Sequence, residues 1–168
     1  KKYPSSNFYL QKSTFNPQSS TVKLVLAGSK GWLSDQIYEL PKQLGIEDRV
    51  KFLGYAPDED LPALYSGAIA LTFPSLFEGF GLPILEAQAC GCPVVTANIS
   101  SMPEVGGAIY VNPYSEDDIV EGMRRVQRAP EGEGCRVQLI QKGLENVKRF
   151  SWEKCAEETL KVLKETVG

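Results

Sequence analysis

The feature that most constrains this chain is an alternation. Short runs rich in apolar and β-branched residues recur at 22–27, 50–53, 69–73, 93–96 and 108–111. Between and after them lie stretches with helical spacing: 34–44, 58–66, 82–90, 115–128, a stretch around Gly143, and 151–166. In 58–66, Leu61, Leu64 and Tyr65 fall on one face. A run that is apolar at nearly every position reads as a strand buried on both faces, which is the condition of a parallel sheet covered by helices. The alternation therefore predicts an α/β fold built on a single Rossmann-like, doubly wound parallel sheet. Such sheets bind ligands beyond the carboxyl ends of their strands. Function is to be sought in the loops after Gly28, Gly54, Phe73 and Thr96. Residues 1–21, rich in Ser, Asn, Gln and Pro, read as a lead-in or linker, and 22–168 as one ligand-binding domain with C-terminal helices. Residues 129–134 read as a surface loop between helices.

Composition narrows the function classes. The 168 residues carry 18 Lys and Arg against 21 Asp and Glu, a net charge of -3, so no broad basic face for nucleic acid is expected. No apolar run approaches the roughly 20 residues of a membrane-spanning helix. A start at Lys1 rather than Met fits a piece of a longer chain. The absence of histidine removes Ser-His and Cys-His nucleophile mechanisms from within this sequence. Cys90 and Cys92 are too close together for zinc-ligand spacing, so the four cysteines read as buried or half-buried reduced thiols and the location as cytoplasmic. No metal is expected.

The loop after Phe73 is the richest in chemistry. It runs Pro74-Ser75-Leu76-Phe77-Glu78-Gly79-Phe80-Gly81-Leu82-Pro83-Ile84-Leu85-Glu86-Ala87, from a strand end into a helix start. Proline suits the first helical turn, where its missing N–H has no helical partner to lose. Unpaired N–H groups at such a start favour an anion. Gly79 and Gly81 lack a Cβ, so the backbone can come close to a phosphate or a sugar. Two carboxylates, Glu78 and Glu86, beside an anion site would repel a bare phosphate. They make sense if each accepts hydrogen bonds from hydroxyls on either side of it, and a nucleotide sugar carries such hydroxyls on its ribose and its hexose.

This stretch resembles the Glu-x7-Glu motif of the retaining glycosyltransferases with the GT-B fold, in their group 1 family. Further segments fit the donor-binding half of that family: 24–28, 49–55, Asp60-Leu61 with Leu64-Tyr65, 89–95, Pro103-Glu104-Val105 and Phe150-Ser151-Trp152. The resemblance runs from about Val22 to the end. It implies that Glu78 holds hydroxyls of the donor sugar beside the reacting carbon and that Glu86 holds the ribose. Amides from Gly79 to Leu82, with Ser75 and Phe80, would line the diphosphate and sugar edge, and the Leu53-Gly54-Tyr55 turn would lie near the base. It further implies a GDP-mannose or UDP-glucose type of donor without a metal. Mannosyl transfer is favoured by similarity to bacterial polysaccharide mannosyltransferases.

The sequence also departs from that family. The Arg and Lys pair that clamps the diphosphate is not recognisable, and Lys30 at a strand's carboxyl end is the substitute candidate, or else an ordinary exposed lysine. The acceptor-binding half is absent and is expected in cis or in trans; peripheral membrane contact is expected only of a full-length enzyme. The isolated chain is expected to bind nucleotide but to transfer little or no sugar. Two other classes stand beside this reading: a non-catalytic nucleotide-sugar-binding module, and a flavodoxin-like signalling domain. The second requires an acidic or flavin-binding strand end, where this chain has Gly28, Gly54 and Pro74. Valine in place of Gly81 is expected to block phosphate approach without disturbing the fold.

Overall fold

The computed structural model describes residues 22–31, 35–128 and 136–167. The lead-in 1–21, Trp32, Ser34, the 129–134 loop and Cys135 lie outside the described residues. The fold is α/β, and every strand pair is parallel. The chain divides into two compact units after Ala56.

In the first unit, β1 (Leu24–Ala27) pairs with β2 (Val50–Gly54), joined by α1 (Asp35–Gln43) and a 3-10 turn at Glu47–Arg49. Leu24 lies opposite Val50 and Leu26 opposite Phe52, and the register slips so that Ala27 faces Gly54. The Arg49 guanidinium donates to the Val22 carbonyl, and the Tyr38 ring of α1 packs on Phe52 with centroids 4.4 Å apart. β1 is not the fully buried strand that its composition predicts: Leu24 and Val25 are each 47% exposed. Among the described residues its one hydrogen-bonded neighbour is β2, and a strand paired on one side is less covered than a central one.

The second unit holds the core. Its sheet runs β3 (Leu71–Phe73), β4 (Val94–Ala97), β5 (Ile109–Val111), with β4 in the centre and buried at all four positions. Successive strand side chains point to opposite faces. Val94 accordingly joins Ile84 and Ala87 of α3 (Leu82–Ala89) and Met102 and Val105 of α4 (Met102–Val105). Val95 joins Ile109, Val111, Val126 of α5 (Glu116–Arg128) and Leu139 of α6 (Arg136–Val147). Each such Val, Ile, Leu or Met side chain taken out of water stabilises the fold by about 1.5–3 kcal/mol. Helices α2 (Leu61–Gly67), α3 and α4 each begin with an apolar residue followed by proline: Pro62, Pro83 and Pro103. At the second helical position the absent N–H removes no intrahelical bond.

Helix α6 is drawn onto α3 by polar groups. The Asn146 amide donates to Gln88 Oε1 at 2.9 Å and to the Val105 carbonyl at 2.8 Å. Gln88 Nε2 donates to the Gly106 carbonyl at 2.9 Å, and Arg149 donates to Asn146 Oδ1 at 2.8 Å. Gly143 makes this approach possible, because a Cβ there would stand 3.0 Å from Gln88 Cγ. Arg136, at the start of α6, donates to the carbonyls of Ala68 and Ile69 ahead of β3. The final helix, α7 (Trp152–Val167), is different: residues 152–166 are all exposed, Trp152 at 75%.

Candidate functional site

The Glu78 loop leaves β3 at Phe73 and enters α3 at Leu82, as its sequence predicts. Its backbone is held from one side. Ser100 Oγ donates to the Glu78 carbonyl at 2.8 Å and accepts the Glu78 N–H at 3.3 Å. Ser101 Oγ lies 3.0 Å from the Glu78 carbonyl and 2.9 Å from that of Phe80, which share its one proton. The Gly81 carbonyl accepts from the Ile84 N–H at 3.0 Å. With these carbonyls tied back, the four consecutive N–H groups of Gly79, Phe80, Gly81 and Leu82 donate to no other described residue. An N–H without a protein partner is a donor that some outside acceptor must meet. Proline at position 83 and the bonded Ile84 amide mean that the helix itself contributes only Leu82.

The two glycines differ. Gly79 is exposed, and a Cβ built there meets nothing within 4 Å. Gly81 is buried, with φ 100 and ψ 45, a conformation that side-chain-bearing residues rarely adopt. A Cβ on it would lie 3.2 Å from Ile84 Cδ1. The expectation that valine at 81 leaves the fold undisturbed is therefore corrected: the residue sets the turn into α3 before any ligand is considered.

Ser75 is spent on the loop itself, donating to the Phe77 carbonyl at 3.2 Å. Phe77 is 81% exposed. Phe80 stacks edge-on against Phe150, with centroids 5.8 Å apart. Leu82 is exposed and Glu78 half-buried. Glu86 is exposed on α3, and its Oε2 accepts a hydrogen bond from the Tyr65 hydroxyl of α2 at 3.1 Å. Burial first, and the Glu86 carboxylate second, hold the Tyr65 phenol well above its ordinary pKa, so it stays a proton donor. Lys30 belongs to the first unit, where its ammonium pairs with Asp35 at 2.6 Å and lies 5.4 Å from the centre of the Tyr38 ring. The Asp35 hydrogen bond and charge raise its pKa. Cys90 is half-buried and Cys92 buried, whereas Cys155 is exposed on α7, unlike the buried or half-buried thiol that composition predicts. Burial pushes the Cys92 thiol up to about 11. No cluster of potential metal ligands occurs among the described residues.

Tyr65, Ser100 and Ser101 are the residues that sequence reasoning did not single out for the site. Tyr65 carried a signal: a tyrosine on an otherwise apolar helix face needs a partner for its hydroxyl.

A family model, glycosyl transferases group 1, matches residues 10–145. The chain belongs to this family. Among group 1 relatives, O-antigen chain mannosyltransferase B of Escherichia coli is 40% identical over 143 residues, covering 84% of this chain and 37% of that protein. The chain thus spans little more than a third of that relative's length. Solved GT-B structures share the fold of this group 1 chain. Sucrose-phosphate synthase of Thermosynechococcus elongatus superposes with a TM-score of 0.73 at 28% identity, covering 86% of this chain and 38% of that one. The Anabaena protein HepE, in complex with UDP and glucose, superposes with a TM-score of 0.75 at 22% identity, covering 86% and 41%, a likeness of fold alone. No helix among the described residues of this group 1 chain is long and apolar enough to cross a membrane.

Proposed function

We propose that this chain is the nucleotide-sugar donor-binding domain of a retaining glycosyltransferase that moves a hexosyl unit, mannose first among candidates, onto a glycan or lipid-linked acceptor. The observation that carries this reading is the row of four amides from Gly79 to Leu82 that donate to no described residue, with Glu78 before it and Glu86 after it. Amides fixed in place by tied carbonyls meet charge without reorganising when a diphosphate leaves. In this reading they stabilise the developing diphosphate charge, and no metal is required for that step. Glu78 lies against the sugar as it gains oxocarbenium character, and Glu86 accepts from the ribose hydroxyls. The relatives support the donor class: an O-antigen mannosyltransferase in sequence, and a UDP- and glucose-bound protein in fold.

Turnover needs the acceptor-binding half of such an enzyme, so binding is the property to test. Calorimetric titration with GDP, UDP, ADP and their sugar conjugates should find one family of nucleotides that binds. Glu86→Ala should abolish that binding while the melting curve is kept. Failure of all three nucleotides at millimolar concentration would sink the donor-binding reading. A second reading, a binding module without catalysis, is favoured by one observation: Lys30, the substitute clamp, is already engaged by Asp35.

A further inference from the structure

The Glu86 side chain has its own support. α2 and α3 lie side by side, and Tyr65 and Glu86, 21 residues apart in sequence, meet across them at 3.1 Å. The half-buried Tyr65 ring packs against the core cluster that includes Ile84, Ala87, Val94 and Met102, a support independent of the carboxylate. A second bond joins α2 to the residue that follows α3: Ser66 Oγ donates to the Cys90 carbonyl at 3.5 Å. Glu86 itself is exposed, and nothing else described holds it; its Oε1 makes no hydrogen bond to a described residue. An exposed glutamate has three rotatable bonds and loses considerable freedom when it engages a ligand. One oxygen anchored on a phenol packed against the core removes much of that freedom beforehand and leaves the other oxygen as acceptor.

We propose that Tyr65 is a positioning residue. Its hydroxyl, on a ring supported by the core, holds Glu86 Oε2 so that the carboxylate meets the ribose diol of the donor in a single orientation. This rests on the reading of Glu86 as the ribose ligand given above. Tyr65 touches no donor atom; it acts through Glu86.

The test is a calorimetric titration of the chain and of Tyr65→Phe, with GDP and with 2′,3′-dideoxy-GDP, or the corresponding UDP pair if uridine nucleotides bind better. Phenylalanine keeps the ring that packs on the core and removes the hydroxyl alone. The wild type should prefer the ribonucleotide. Tyr65→Phe should lose about ten-fold in affinity for it, equivalent to about 1.4 kcal/mol. Its affinity for the dideoxynucleotide should be unchanged. Equal weakening for both nucleotides would mean that the hydroxyl supports the fold in general, and would overturn the proposal. So would full ribose preference retained in Tyr65→Phe, which would leave the role of Glu86 intact. A wild type that does not distinguish the two nucleotides would overturn the ribose role of Glu86 and the proposal with it.

Discussion

Gln88 and Asn146, 58 residues apart in sequence, share a buried hydrogen bond of 2.9 Å that ties α3 to α6. Both are under a tenth exposed, and no buried side-chain polar atom among the described residues lacks a partner. Removing one member strands the others: Asn146→Ala leaves Gln88 Oε1 and the Val105 carbonyl without their donor. A buried group left unsatisfied costs about 1–3 kcal/mol. Asn146→Ala should lower stability by that amount in urea denaturation. An unchanged midpoint would show that water replaces the amide without loss.

Gly79 and Gly81 should separate when each is changed to alanine. At Gly79 the new methyl meets nothing, so the melting temperature should hold while nucleotide affinity falls, because the methyl stands beside the open amides. At Gly81 the backbone, at φ 100, has to move or be strained, at a cost of about 1–3 kcal/mol. Circular-dichroism melts and titration of both variants decide this. Equal melting temperatures would refute the distinction.

Ser100 is the one residue other than glycine described with positive φ, at 58. Its hydroxyl holds both polar backbone groups of Glu78. Ser100→Gly relieves the backbone but removes the hydroxyl with both of its bonds to Glu78, so the two effects on stability should largely offset, while donor-sugar binding should weaken about three- to ten-fold, a loss of about 1 kcal/mol. Ser100→Ala should lose both stability and binding. If the glycine variant binds as the wild type does, the clamp on Glu78 does not matter for the donor.

Much of this was legible in the sequence, and the rest was not, for reasons that particular residues make plain. Val94 and Val95 announced a strand buried on both faces, and Gly91, at φ 68, ended α3 where a helix stop was expected. The Glu78 loop and its glycines were visible as a motif. That Gly81 turns the chain while Gly79 stands open was not, because both are the same letter two positions apart. Ser100 and Ser101 reach Glu78 from 22 and 23 residues away, and local spacing says nothing about such contacts. Helix α4, four residues long, is too short to show a period. β1 looked buried because composition reports what a strand can bury and not what covers it.

Thiol chemistry should follow burial. The thiolate is the reactive form, and burial pushes Cys92 up to about 11 and Cys90 above its ordinary value. At pH 8, peptide mapping after iodoacetamide treatment should find Cys155 modified first, Cys90 later and Cys92 last. A folded-state pKa above the unfolded one means that Cys92 favours folding below about pH 9, and that this contribution fades as pH rises through 11. Stability measured in urea should therefore fall between pH 9 and 11, and fall less in Cys92→Ala. Early labelling of Cys92 would show that its surroundings open readily.

Helix α7 remains, with every side chain from Trp152 to Thr166 facing water. Two ion pairs, Lys154 with Glu158 at 3.8 Å and Lys161 with Glu165 at 3.9 Å, run along its own surface and tie it to nothing else. A helix of 16 residues with no face packed among the described residues is marginal in water. Its coil-to-helix balance is thus a local matter, uncoupled from the cooperative melting of the sheet. Amide protons there should exchange with solvent long before those of β4, and heating should unwind this end of the molecule first.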